Sequence, residues 1–379
     1  MGFETVKLKD LTINLDNKRK PLNELERKSL KKKGLYPYCG ANGVLDYIDE
    51  FIFDQEILCI AEDGGSWGFR EKCAYIMNEP CWVNNHAHVL VAKENVNVKY
   101  LCYYLNYADL SKHITGTTRG KLTKSALEKI EVKIPDYSTQ NKIVNALDKS
   151  QELIDKRKAQ IEALDQLTQS VFLEILFRNP EKNTRIKFAE VIKETKNGIS
   201  RRGNDENGNI VLRLRDIKEN LIDYTDVNRI KLNETEKENF RVNLNDLLLI
   251  RVNGNPDYVG RSAVFTGYSE EVFFNDHIIR IKTIESVENI FLAYYLNSYI
   301  GKKELRKNLK TSAGQYTISR EGLNKVNIIL PTLEDQKYFV HWFKVIQEKK
   351  QLLQQSLVEL NNTFNSLMQR AFKGELFND

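Results

Sequence analysis

Residues Tyr103-Tyr104-Leu105-Asn106 recur as Tyr294-Tyr295-Leu296-Asn297, 191 positions further along the same chain. Other pairs keep step with them. Ile134-Pro135 followed by Gln140 returns as Leu330-Pro331 followed by Gln336 at an offset of 196, and Asn84-Asn85-His86 answers Asn275-Asp276-His277 at 191. Glu56-Ile57-Leu58 resembles Asp246-Leu247-Leu248 at 190, and Val6-Lys7-Leu8 resembles Ile186-Lys187-Phe188 at 180. One four-residue match is a weak signal. Five in the same order, with offsets that drift in one direction as loop-length differences would make them, describe a tandem duplication. Any fold for this chain must be built twice, and 379 residues suit two domains better than one core. With 41% hydrophobic and 29% charged residues, a sizeable core is possible and global disorder is excluded.

Each copy divides again. Residues 1–137 and 179–333 are mixed α/β (α+β) material. Short apolar runs at Glu56 to Ala61, His88 to Ala92 and Asp246 to Val252 are separated by turns at Gly40 to Gly43, Gly64-Gly65, Gly203 to Gly208 and Asn253-Gly254. Helices are expected over Val98 to Leu110 and Asn289 to Tyr299. Residues 138–178 and 334–379 are of another kind. Stretches 138–176 and 334–372 hold no proline or glycine, and their apolar residues recur in a 3-4 rhythm. The first seam is Ile143, Leu147, Ser150, Ile154, Arg157, Ile161, Leu164, Thr168, Val171 and Ile175. The second is Phe339, Phe343, Ile346, Lys350, Leu353, Leu357, Leu360, Phe364, Leu367 and Ala371, each 196 positions from its counterpart. This is a coiled-coil pattern, interrupted at Ser150, Arg157 and Lys350, and it predicts that the two helices pair with each other. Packing of each helix on its own domain alone is the blander reading, and helices of about 39 residues, roughly 58 Å, are too long for it. Ser138 and Thr139 can cap the first helix, and Glu334 and Asp335 place acid on the positive end of the second.

Catalytic motifs are missing. Gly254 to Ser262 reads G-x5-G-R-S, one residue too long for a phosphate loop and with Arg261 in the lysine position. Gly116-Thr117-Thr118-Arg119-Gly120-Lys121 has only three residues between its glycines and continues into Leu122. Neither is an NTP site, and Asn255-Pro256-Asp257 lacks the rest of an adenine-methyltransferase motif. There is no nucleophile elbow, no H-E-x-x-H and no glycine-rich loop for S-adenosylmethionine. Cys73, Cys81, His86 and His88 are zinc-ligand types, but C-x7-C-x4-H-x-H matches no common site, and packing or a local hydrogen bond is the commoner fate of such histidines. The expectation is therefore no catalysis and no metal or cofactor in this chain. Five cysteines without a C-x-x-C, no secretory leader pattern and no run of 18 apolar residues point to a reduced, cytoplasmic protein with no membrane partner.

The net charge of +5 is modest, and its placement says more than its size. Lys112, Arg119, Lys121, Lys124, Lys129 and Lys133 stand against Glu128 and Glu131, a local +4. In the second copy Lys302, Lys303, Arg306, Lys307, Lys310, Arg320 and Lys325 stand against Glu304 and Glu321, a local +5. One such run would be read as a solvated face; two at matched positions point to phosphate contact on a nucleic acid. Phosphates position a protein and base edges specify it. The candidate DNA contacts are Lys31, Lys32, Trp67, Arg70, Arg119, Lys121 and Lys124 in the first copy, with Asn84 and Asn85 in similar loops. In the second they are Arg201, Arg202, Arg213, Arg251, Arg261, Lys307, Lys310, Gln315 and Tyr316, with Arg215, Asn253 and Asn255 beside them.

Two dissimilar mixed domains, each closing in a basic loop, an (I/L)-P step and a long helix, resemble the specificity subunit of type I restriction-modification systems. The residues carrying the resemblance are Gly120-Lys121-Leu122-Thr123 through Ile130-Glu131-Val132-Lys133-Ile134-Pro135 and Gln140, then Gln315-Tyr316-Thr317-Ile318-Ser319 through Ile328-Ile329-Leu330-Pro331 and Gln336. Ala371-Phe372-Lys373-Gly374-Glu375-Leu376 is similar to the family's closing segment. The resemblance implies two target-recognition domains, 1–137 and 179–333, related by a pseudo-twofold axis and separated by a pair of long antiparallel helices. Leu147, Ile154, Ile161, Leu164, Phe343, Ile346, Leu353, Leu357, Leu360 and Phe364 would hold that pair together. It implies that each domain reads one half of a split, asymmetric site on double-stranded DNA and that the helices set the gap. It further implies two methyltransferase subunits and endonuclease/translocase subunits as partners, with S-adenosylmethionine, ATP and Mg²⁺ bound there. Regions 11–100 and 197–290 barely align, so the DNA sequence recognised does not follow from the resemblance. The alternative, a coiled-coil interaction scaffold without sequence-specific DNA binding, predicts that the basic loops are dispensable for DNA affinity.

Overall fold

The computed structural model describes residues 2–116, 119–178, 180–312 and 314–377, so Thr117 and Thr118 of the first glycine-bracketed loop lie outside the described residues. The chain forms two compact units, Met1–Gln160 with Leu353–Asp379, and Ile161–Leu352. In the first, a four-stranded antiparallel sheet runs in the order Thr12–Asn14, Ala87–Ala92, Ile57–Ala61, Ala74–Met77. The apolar run has become an inner strand with every residue of Ile57–Ala61 buried. Its side chains alternate: Leu58 and Ile60 enter a core with Leu101 and Leu105, while Ile57 and Cys59 enter another with Phe53 and Val83. Beside it stands a three-stranded sheet of Gly43–Ile48, Tyr36–Gly40 and Trp82–Val83, its last pair parallel.

The second unit repeats this plan. Its sheets are Ile192–Asn197, Ile278–Thr283, Leu247–Ile250, Ser262–Val264, and Arg229–Ile230, Asn209–Leu212, Val272–Phe274, with the last pair again parallel. It adds a hairpin of Ile217–Lys218 with Leu221–Ile222. The strand pairing corrects one sequence match by a residue. Leu58 pairs Leu90 and Leu247 pairs Ile281, so Leu58 corresponds to Leu247 rather than to Leu248.

The repeated motifs now have physical reasons. Asn106 accepts from the Cys73 and Ala74 amides at 2.8 Å and donates to the Ala74 carbonyl, clamping the edge strand. Asn297 does the same to the Ser262 amide and carbonyl. Gln140, buried, donates to the Pro135 carbonyl at 2.9 Å and accepts from the Asn97 amide at 2.8 Å. Gln336 donates to Pro331 and accepts from Glu288, each at 2.9 Å. Removing either side-chain amide strands one buried carbonyl and one half-buried backbone amide. Gln140→Ala is expected to cost about 1–3 kcal/mol by chemical denaturation, as is Gln336→Ala; a cost no greater than that of Gln354→Ala, on the exposed face of the second long helix, would contradict this account.

The long helices run Tyr137–Arg178 and Leu333–Lys373. The first is capped earlier than expected, by Asp136, which accepts from the Thr139 amide, while the second carries Glu334 and Asp335 in its first turn as expected, with Thr332 accepting from the Asp335 amide. All ten seam positions of each are buried or half-buried. In the first unit, Ile143, Val144 and Leu147 share a core with Met368, Ala371 and Phe372. In the second, Phe172 meets Phe339 at 5.7 Å while Lys350 Nζ reaches Asp165 at 2.5 Å, so the two helix segments run antiparallel there. The seam lysine thus has a partner. Such a half-exposed pair contributes under about 1 kcal/mol, so its use is orientation more than stability. Ser150 is buried, and Arg157 bonds Gln160 along its own helix. The fold is mixed α+β: two similar domains with a pair of long antiparallel helices.

Candidate nucleic-acid interface

In the first unit, the inner strand Ile57–Ala61 and its neighbour Ala87–Ala92 end side by side, with the Glu62 amide bonded to the His86 carbonyl at 2.8 Å. A basic hairpin, Ile114–Thr115 with Lys121–Leu122, lies over that end through the bond from the Leu122 amide to the Glu62 carbonyl. His88, 1% exposed, sits beneath it, its ring nitrogens 2.6 Å from the Asp16 carboxylate and 2.7 Å from the Leu122 carbonyl. Glu62 binds Arg19 at 2.6 Å and Lys121 at 3.0 Å. Burial pushes the Glu62 carboxyl up, but these two cations outweigh it and hold it below the usual carboxylate range. Burial likewise raises Asp16, and the His88 ring and Val89 amide more than reverse it. Above this layer, Asp63 accepts from Arg119 Nη2 at 2.8 Å, and His86 Nδ1 lies 2.8 Å from the same oxygen. Gly116 bends the loop at φ +92, where a Cβ would meet the Arg119 carbonyl oxygen at 2.5 Å.

The second unit builds the same corner with other residues. The Arg251 amide bonds the His277 carbonyl at 2.9 Å, and the Ile318 amide bonds the Arg251 carbonyl at 2.9 Å. Arg251 therefore stands where the first unit has Glu62, a reversal of charge. The hairpin Lys310–Ser312 with Gln315–Thr317 pairs with Val252–Asn253. Arg202 Nη1 reaches Asp276 at 2.8 Å and its Nη2 lies 3.2 Å from His277 Nε2. Burial pushes the His277 ring below its ordinary value against the opposing pull of Asp276. Arg201, Arg202, Arg213, Arg215 and His277 line one cleft of about 310 Å³. Arg251 is bonded beside it, its Nη1 donating to the Asp276 carbonyl at 3.2 Å. At Gly198 a Cβ would stand 2.1 Å from the Phe274 carbonyl oxygen, a close approach that carries the arginine loop onto the strand.

Not all the expected contacts gather here. Arg119 and Lys121 do, and Lys124 is exposed just beyond, on the short helix Lys124–Leu127. Lys310 and Gln315 are exposed and Tyr316 half-buried on the second hairpin, and Lys307 pairs with Glu304 beside it. Arg261 stacks on Tyr258 at 4.1 Å. Lys31 pairs with Asp46, and the amide of exposed Lys32 bonds Asp49. Trp67 is a correction: 8% exposed, it packs in the core and donates Nε1 to the Ala61 carbonyl at 3.1 Å. Arg70 is another, its guanidinium turned to Gln369 on the second long helix at 3.1 Å. The zinc-type residues are occupied separately, with Cys73 Sγ bonded to the Leu105 carbonyl and the two histidines as above. The carboxylates that hold the cations carry no signal of that role in the sequence: Asp16 and Glu62 on Arg19, Asp63 on Arg119, Asp216 on Arg213 and Asp276 on Arg202. The repeated Asn-x-His was the one visible pointer to this corner. Among the described residues, no helix is long and apolar enough to cross a membrane.

Two copies of one domain, alike in their main sheets but dressed with different charges at the same histidine-bearing corner, define a recognition protein with two distinct readers. The chain belongs to the type I restriction modification DNA specificity domain family, whose sequence model matches residues 1–164 and 176–362. It is a DNA sequence-recognition subunit of that class. It is 27% identical over 348 residues to the type I restriction enzyme StySPI specificity subunit of Salmonella potsdam, covering 85% of this chain and 75% of that one. To the EcoKI specificity subunit of Escherichia coli K12 it is 22% identical over 288 residues, covering 70% and 62%. The solved S subunit of the type I restriction-modification system from M. genitalium has the same fold, with a TM-score of 0.62 at 14% identity over 98% of this chain and 96% of that one.

Proposed function

We propose that each unit reads one half of a bipartite, asymmetric DNA site and that the long helices set the unread gap. The observation that carries this is the conserved frame with exchanged chemistry: matched hairpins and matched histidines, but Glu62 in one unit where the other has Arg251. Equal frames dock on DNA alike, and different side chains read different bases. The chain itself carries no catalytic step. Methylation, with S-adenosylmethionine, and cleavage with ATP and Mg²⁺ belong to two methyltransferase subunits and to endonuclease/translocase subunits assembled around it. Support for a docking face comes from Tyr338, Trp342, Val345 and Leu352, which lie off the seam at helical spacing and are 52%, 40%, 41% and 61% exposed. Exchanging residues 179–333 for those of a relative tests the reading. Mapping of N6-methyladenine in cells carrying the chimaera with its methyltransferase should show one half-site changed, the other half and the spacing retained. A change in both halves would refute the modular reading.

A further inference from the structure

The corner histidines of the two units, His86 and His277, occupy matched positions, and each stands in a cluster with one carboxylate and one arginine: His86 bonds Asp63, which also holds Arg119, and His277 bonds Arg202, which also holds Asp276. The elements supplying those partners differ. In the first unit the carboxylate is Asp63, beyond the inner strand, and the arginine is Arg119 of the hairpin loop. In the second the carboxylate is Asp276, adjacent to the histidine, where the first unit has Asn85, and the arginine is Arg202 from the loop after Ile192–Asn197. The same three groups have been brought to the same place by two routes.

Resting on the DNA-recognition reading, we propose that Arg119 and Arg202 are the guanine-reading arginines of the two half-sites, and that Asp63 and Asp276 are positioning residues that aim them. The argument is electrostatic and geometric. A cation that clamps phosphate acts through its net charge, and a carboxylate 2.8 Å away cancels that charge and repels the phosphate. A guanine edge is neutral and offers two acceptors, O6 and N7, so it needs a fork of donors in a fixed plane more than it needs charge. The carboxylate fixes that plane before binding. Both guanidiniums remain open, with Arg119 67% and Arg202 57% exposed, while Asp63 and Asp276 are 17% and 29% exposed. Among the described residues Arg119 uses only Nη2 within the protein, and Arg202 keeps Nε and one Nη2 hydrogen for a base. Lys124, on the short helix after the first hairpin, and Lys310, on the second hairpin, are exposed and outside these pairs, and lysine is the residue type suited to phosphate.

The test uses the full chain assembled with its methyltransferase subunits, a pool of randomised duplex DNA, and sequencing of the bound fraction. The wild-type complex should select a G·C pair in each half-site. Asp63→Asn and Arg119→Lys should flatten the preference at one G·C pair of one half-site by roughly tenfold and leave the other half untouched. Asp276→Asn and Arg202→Lys should do the same in the opposite half. Arg119→Lys keeps the charge of a surface residue, so it reads aiming without loss of fold. If these variants weaken binding to all sequences equally with the preferences intact, the arginines contact phosphate and the proposal fails. It fails also if selection is unchanged. A wild-type complex that enriches no sequence would overturn the DNA-recognition reading itself, and this assignment with it.

Discussion

Phe172→Ala is expected to destabilise the second unit by about 3–5 kcal/mol. Phe172 belongs to the first long helix, yet it is 1% exposed because four rings of the unit surround it. Tyr294 lies at 4.9 Å, Phe291 and Phe339 at 5.7 Å and Tyr295 at 6.3 Å. Truncation removes both the buried ring and its edge-on contacts, and four large neighbours locked in one another's packing cannot collapse into the hole. For a unit of this size the loss corresponds to a fall in its thermal midpoint on the order of 10 °C. Phe177, five residues on in the same helix and 59% exposed, is the control, and Phe177→Ala should change stability by less than about 0.5 kcal/mol. Calorimetry of the two variants decides the matter. If both cost the same, the helix end is an appendage and not part of the unit's core. The first unit has the corresponding device in Phe372 of the second long helix, 5.0 Å from Tyr107 and 5.4 Å from Tyr104. The Tyr-Tyr-Leu-Asn repeat is therefore where long helices dock on a domain, which is reason enough for its persistence while the readers diverged.

That repeat was visible because packing and clamping act through particular side chains. The 3-4 rhythm was visible because a long seam imposes it at every turn. Other features were hidden for identifiable reasons. Ile57–Ala61 and Leu247–Ile250 are buried on both faces, so they show no polar alternation, and a one-residue slip between two apolar runs leaves no mark in the sequence. Only hydrogen bonding to strands that follow the matched histidines fixes their correspondence. Trp67 sits in a Gly-Gly-Ser-Trp-Gly stretch that reads as an exposed loop, but its indole finds a carbonyl six residues back and its ring fills the core. Arg70 meets a residue 299 positions away, which nothing local announces. The cations of the interface were legible one by one, and their division into those held by carboxylates, such as Arg119 and Arg202, and those left open, such as Lys124 and Lys310, was not, because it depends on carboxylates contributed by other segments.

That division underlies the second large effect. Replacing Lys121, Lys124, Lys307 and Lys310 together by alanine is expected to weaken binding to every duplex, cognate or not, by about two to four orders of magnitude at 0.1 M salt. Each phosphate contact contributes about 0.9 to the slope of log affinity against log salt, so four of them set an upper limit near 3.6. Lys121 must leave Glu62 and Lys307 must leave Glu304 to reach a phosphate, which lowers their share. Among the described residues Lys124 and Lys310 have no such rival, and they set the lower limit, a slope reduced by about 2. The measurement is affinity for a non-cognate duplex between about 50 and 200 mM salt. An unchanged slope would favour an interaction scaffold that does not use these hairpins on DNA. The outcome also separates two roles on one surface. If the lysines supply the salt-dependent, sequence-blind part of binding, residual binding by the quadruple variant must keep its base preferences intact, since the arginines held by Asp63 and Asp276 have not been touched.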